Sequence, residues 1–104
     1  MTVSLIEKLK ADMQARRQEV DVLGVKVYVT PLPIGEQLRI NALNPDNRAA
    51  QMAEMIISRC RDAEGNPVFT RGDKDALRHE VAGDRVSALV AAITGPPVSE
   101  QAKN

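Results

Sequence analysis

The sequence predicts an α+β fold: a mostly helical single domain of about five helices with one N-terminal β-hairpin. Three observations carry this. A chain of 104 residues has the size of one domain, since single domains cluster at roughly 100–150 residues. Apolar residues alternate with a period of two over one stretch only, from Glu19 to Thr30. Elsewhere they recur three and four residues apart, the spacing of a helix with one buried face. The predicted boundaries are one domain over 1–95, with helices over 4–17, 33–43, 46–61, 71–82 and 84–94 and a hairpin over 19–30, followed by a flexible tail over 96–104.

Ser4-Leu5-Ile6-Glu7 has capping-box spacing, with a hydroxyl placed to accept from the third helical N–H and a carboxylate placed to reach back. Leu5, Leu9 and Met13 then recur every four residues with Ile6 beside them, opposite Lys8, Lys10, Asp12 and Gln14. The result is a short amphipathic helix that can dock or detach. In the hairpin, Leu23-Gly24 as turn residues set Val22 opposite Val25 and Val20 opposite Val27, with Asp21 opposite Lys26 on the other face. A lone hairpin is marginal in water, so its valine face is expected against helices.

Pro33 suits the first position of a helix carrying Ile34, Leu38 and Leu43. Asn44-Pro45-Asp46 reads as a second cap-and-proline start, followed by Ala49, Met52, Ala53, Ile56, Ile57 and Cys60 at helical spacing. Residues 62–67 are turn chemistry, and Val68-Phe69 is a brief extended segment. Thr70 and Asp73 again have capping-box spacing before Ala76, Leu77 and Val81. Gly83 is expected to close that helix and Asp84 to cap the next, with its stripe of Val86, Leu89, Val90 and Ile93.

Composition narrows the function classes. Fourteen basic and fourteen acidic residues cancel, so no long-range field gathers nucleic acid or anionic lipid. One Tyr, one Phe and no Trp supply no stacking platform for bases. A single cysteine excludes an intramolecular disulfide and fits a reducing compartment. The opening residues lack the pattern of a signal peptide, and no apolar run approaches the roughly 18 residues of a membrane span.

No catalytic constellation stands out. His79 lies in a helix between Arg78 and Glu80 with no His or Cys at ligand spacing, and reads as a surface or packing residue. Cys60 sits on an apolar stripe as a core thiol. The pairs Glu19/Asp21, Asp62/Glu64 and Asp73/Asp75 read as a strand's polar face, a turn and a first helical turn. Arg71-Gly72-Asp73 spells an integrin-binding tripeptide, but capping explains its Asp. No metal, cofactor or catalytic residue is assigned. Helix, Gly83 turn and helix have helix-turn-helix spacing, yet the second helix offers Arg85 and Ser87 among Val, Ala, Leu and Ile, a face suited to burial. Arg16-Arg17 and Arg59/Arg61 are interspersed with acids and read as solvated faces.

From the hairpin onward the order of motifs is distinctive. A hairpin of the form Val-x-Val-x-Gly-x-x-Val-x-Val runs from Val20 to Val29, then come two helices, then an Asp-x-x-Gly-x-x-Val-Phe segment at 62–69 leading into a capped helix with Asp73 and Leu77. This resembles the tail assembly chaperones of long-tailed, siphovirus-type bacteriophages, over about Val20 to Thr94. The resemblance implies a non-enzymatic protein that binds and solubilises the tape measure protein and helps recruit tail tube protein. It also implies a frameshift-extended form of the same chain, action in the host cell cytoplasm, and absence from the mature virion. Partner-binding candidates are Leu5, Leu9 and Met13 on the first helix and Val86, Leu89, Val90 and Ile93 on the last, with Met52 and Met55 as an adaptable surface. A homo-oligomer would line such sites along an extended client. The alternatives are another protein-interaction adaptor or a small helical DNA-binding regulator.

Overall fold

In the computed structural model the described residues are 4–94, so the predicted tail over 96–104 lies outside them. The hairpin pairs β1 (Gln18–Val22) with β2 (Val25–Val29) in the expected register: Val20 faces Val27, Val22 faces Val25 and Asp21 faces Lys26. Its turn has positive φ at both central residues, 53° at Leu23 and 87° at Gly24, the left-handed pair that matches the twist of a two-residue hairpin. The Asp21 carboxylate accepts from the Gly24 N–H at 2.9 Å and fixes the turn from outside.

A third strand, β3 (Cys60–Arg61), pairs antiparallel with β2 and gives the order β1-β2-β3. The helix predicted over 46–61 is shorter than expected at both ends. Asp46 adopts φ 58°, which no right-handed helix contains, so Asn47 is the cap of α3 (Arg48–Arg59) and its Oδ1 accepts from the Ala50 N–H at 3.0 Å. At the other end Cys60 turns extended, because its backbone and that of Arg61 are taken by Val29 and Tyr28. Two residues of strand carry no periodic signal.

The first helix, α1 (Leu5–Ala15), is capped by Ser4, whose Oγ accepts from the Glu7 N–H at 3.3 Å. The second, α2 (Ile34–Leu43), takes Pro33 as its N-cap rather than its first residue. It buries Ile40 and leaves Ile34, Leu38 and Leu43 exposed, the reverse of what their apolar character suggests. A 3₁₀ turn (Arg71–Asp73) opens α4 (Lys74–His79), and the Thr70 N–H donates to the Asp73 carboxylate at 2.9 Å, the reach-back half of the expected box. Gly83 does not close this helix. It begins α5 (Gly83–Thr94), while α4 stops at His79 with Glu80 as its C-cap.

Between the sheet and the helices lies one aliphatic core. Val27 and Val29 from β2 meet Ile40, Ala53, Met55, Ile56, Cys60, Leu77 and the α5 residues Val86, Leu89, Val90 and Ile93. Helix α3 is central: Ala53, Glu54, Met55 and Ile56 are all buried in succession, so neighbours cover it on several sides. Ala49, expected on its buried stripe, is exposed, and the adjacent Ala50 is buried instead. Met55 belongs to the core and Met52 packs half-buried beside it, so neither forms an open adaptable surface. The Gln18 amide donates to the Ala92 carbonyl at 3.2 Å and ties the hairpin to α5.

Within this packing Glu54 is only 2% exposed. Its carboxylate meets Lys74 Nζ at 3.0 Å and Arg71 Nη1 at 3.1 Å. Lys74 Nζ also donates to Asn44 Oδ1 at 2.8 Å, Asn44 Nδ2 donates to the Ile40 carbonyl at 2.9 Å, and Gln51 Nε2 donates to the Asn44 carbonyl at 2.9 Å. The end of α2, the middle of α3 and the start of α4 are thereby joined. Arg71, the first residue of the integrin-like tripeptide, belongs to this network, and Asp73 belongs to the cap.

Candidate functional site

A helix that buries no side chain is either loosely held or unpartnered, and α1 is such a helix. Its surface carries Glu7–Lys10 and Asp12–Arg16 ion pairs at 3.6 and 3.4 Å. Such exposed pairs contribute a few tenths of a kcal/mol each at most, roughly. Leu5, Ile6 and Leu9 are 71, 59 and 56% exposed and Met13 is half-buried, with the Asp12–Arg16 pair bordering their stripe, since Asp12 follows Leu5 and Arg16 follows Leu9 by seven residues. The three predicted contact residues of this helix therefore lie along one apolar stripe that is open over most of its length.

The α5 candidates sit elsewhere. Val86, Leu89, Val90 and Ile93 are core residues against α3 and the sheet, and a partner could reach them only if the domain opened. What α5 shows outward is Asp84, Arg85, Ser87, Ala88 and Ala91, a face with one cation beside one acid. That is a poor reader of bases. A second apolar face is Ile34 and Leu38, one helical turn apart on α2. Only its exposure separates it from a core stripe, so periodicity could not single it out.

Cys60 is sealed, and Glu19, Asp21 and Asp62 are occupied. Burial pushes the Cys60 thiol up to about 12, well above where it would act as a nucleophile. Glu19 and Asp21 both pair with Lys26, at 3.1 and 3.4 Å. The Asp62 carboxylate accepts from the N–H groups of Glu64 and Asn66, each at 2.9 Å, and so shapes its own turn. His79 is exposed. Among the described residues no group of three or more His, Cys, Asp or Glu side chains could hold a metal ion, and no helix is long and apolar enough to cross a membrane.

The pairing of β2 with β3 creates a feature that the sequence reading passed over. Val29 and Cys60 face each other toward the core, so the next pair, Tyr28 and Arg61, turns to the opposite face. Arg17, just beyond α1, stacks its guanidinium 4.3 Å from the centre of the Tyr28 ring. Arg59 reaches toward the same place and donates to Thr30 Oγ1. Together with Gln14, Ala63, Glu64 and Gly65 these side chains line an open cleft of about 300 Å³. Arginines expected on separate solvated faces are thus brought to one site. The signal was the run Arg59-Cys60-Arg61, an arginine on either side of a buried thiol, but no periodicity showed that a helix gives way to a strand between them.

The structure matches that of the bacteriophage HK97 tail assembly chaperone with a TM-score of 0.58 and 19% identity, over 85% of this chain and 94% of that one. The two chains share a fold. The match takes in nearly the whole length of the HK97 protein. The expected resemblance in architecture is therefore met. No protein-family profile matches the chain, and no curated protein matches it by sequence.

Proposed function

We propose that this chain is a phage tail assembly chaperone that binds the tape measure protein, keeps it soluble, and helps recruit tail tube protein during tail assembly. The observation that carries the reading is the fold shared with the HK97 tail assembly chaperone across most of both chains. A chaperone for a long helical client needs an apolar surface of its own that does not cost it its fold. The stripe of Leu5, Leu9 and Met13 supplies one, because α1 buries no side chain in the domain. The same proposal places the protein in the host cell cytoplasm and outside the mature virion, with a frameshift-extended form of the chain and a homo-oligomer as its working partners.

Co-expression with the tape measure protein tests this. The client is expected in the soluble fraction and in complex with this chain, and in the pellet when the chain is omitted. Failure to hold the client, with the chain itself folded, would overturn the proposal. For the extended form, a blot against residues near the amino terminus of cells carrying the native gene and its downstream DNA should show a minor larger band that synonymous changes near the stop codon remove.

A further inference from the structure

The eight ion pairs among the described residues use seven cations, Lys10, Arg16, Lys26, Arg39, Arg71, Lys74 and Arg78, and none uses Arg17, Arg59 or Arg61. Those three arginines converge on the cleft beside Tyr28. Unpaired cations ordinarily spread apart in water, since like charges close together are destabilising. Here burial and then repulsion from Arg61 together outweigh the attraction of Glu36, which forms no ion pair with it, and draw the affinity of Arg59 for protons down. Its Nε–H is buried and finds no acceptor among the described residues, although an orphaned buried donor is costly. Arg61 is engaged only by the Gly65 carbonyl, at 3.3 Å, and Arg17 only by the Tyr28 ring. The acid in the lining, Glu64, is exposed and forms no ion pair with any of them.

We infer that the cleft between β2, β3 and the end of α1 is a carboxylate-binding site that takes an acidic side chain of a protein partner through Arg17, Arg59 and Arg61. The guanidinium fork matches a carboxylate's two oxygens, and three forks around one opening supply donors from several directions. The opening is larger than a bare oxyanion needs, and the Tyr28 ring and Ala63 give it apolar wall. A side chain that brings methylenes along with its charge fills both parts. The inference rests on the chaperone reading only in taking the carboxylate from a protein, and its test uses no phage component.

The test is a titration of the full-length chain, followed through the arginine Nε–H resonances in ¹⁵N spectra, with acetyl-tetraglutamate amide as the probe and acetyl-tetraglutamine amide as its neutral counterpart. The Arg59 and Arg61 signals are expected to shift with the glutamate peptide and stay still with the glutamine peptide. Arg61→Gln and Arg17→Gln, both at exposed positions, should each weaken binding at least about fivefold. Arg48→Gln, an equal change of charge on the exposed start of α3, should leave it within about twofold. Equal losses in all three variants would mean diffuse charge attraction and overturn the site. Inorganic phosphate that saturates the same signals while the glutamate peptide cannot displace it would make this an oxyanion pocket and overturn the assignment to a protein carboxylate. Loss of client binding has no bearing on these outcomes, so the two proposals fail separately.

Discussion

Glu54 on α3 and Lys74 on α4 meet at 3.0 Å inside the packed part of the domain, twenty residues apart in sequence. Burial alone would raise the pKa of this carboxylate, but Lys74 and Arg71 outweigh burial and hold it below its ordinary value of 4.5. A carboxylate so depressed contributes stability that is complete above the unfolded value and disappears as pH falls through the folded one.

Glu54→Gln should therefore destabilise the protein by about 2 kcal/mol at pH 7, since Lys74 loses its charged partner in a partly buried place. Urea unfolding at a series of pH values checks this. The gap between the two proteins should shrink as the pH drops below about 4.5 and not before. A constant gap down to pH 3 would show that Glu54 acts through shape rather than charge.

Two leucines to which the sequence reading gave the same role should behave oppositely. Leu9→Asp places a charge on a side chain 56% exposed, so Tm should move by no more than about 2 °C. Leu89→Asp puts an unpaired carboxylate into the core, at a cost of about 4 kcal/mol or more, a large share of what holds a small domain together. Circular dichroism melts of both variants settle the comparison. Only the Leu9 variant is then fit to ask whether α1 holds the client.

At the hairpin tip, Leu23 occupies a left-handed conformation at φ 53° while 78% exposed, so its side chain gains little there and its backbone is disfavoured. Leu23→Asn creates the Asn-Gly pair that this turn prefers and should add about 0.5–1 kcal/mol. Calorimetry should record a rise in Tm of about 3–6 °C. A fall would mean that Leu23 has a contact worth more than the strain.

Cys60 should resist modification. With its pKa near 12, only about one thiol in ten thousand is ionised at pH 8, and the sulfur is fully buried besides. Reaction with a chromogenic disulfide reagent should proceed at the rate of unfolding and rise steeply with urea. Complete labelling within seconds in native buffer would contradict the packing of β3 against the core.

What was legible in the sequence was what repeats. The hairpin's register follows from five valines and one Gly, because a one-residue slip would turn every valine outward. The α5 stripe is equally plain, and the core takes all of it. Illegible were features whose meaning depends on a distant neighbour. Glu54 looks like any surface acid until Arg71 and Lys74 arrive from the next helix. Ile34 and Leu38 look like core until nothing covers them. Arg59 and Arg61 look solvated until β3 pairs with β2 and aims one of them beside Tyr28. Local period reports that a residue is apolar or charged, and only the assembled fold decides what stands opposite.

Because α1 keeps every one of its side chains out of the core, substitution along it is almost uncoupled from folding. Mutations there are filtered by what the helix touches and hardly at all by the stability threshold that constrains α3 and α5. The domain thus divides its sequence into a part that must be kept and a part that can be rewritten. A surface of that kind can follow a changing partner through many substitutions while the rest of the molecule stays as it is.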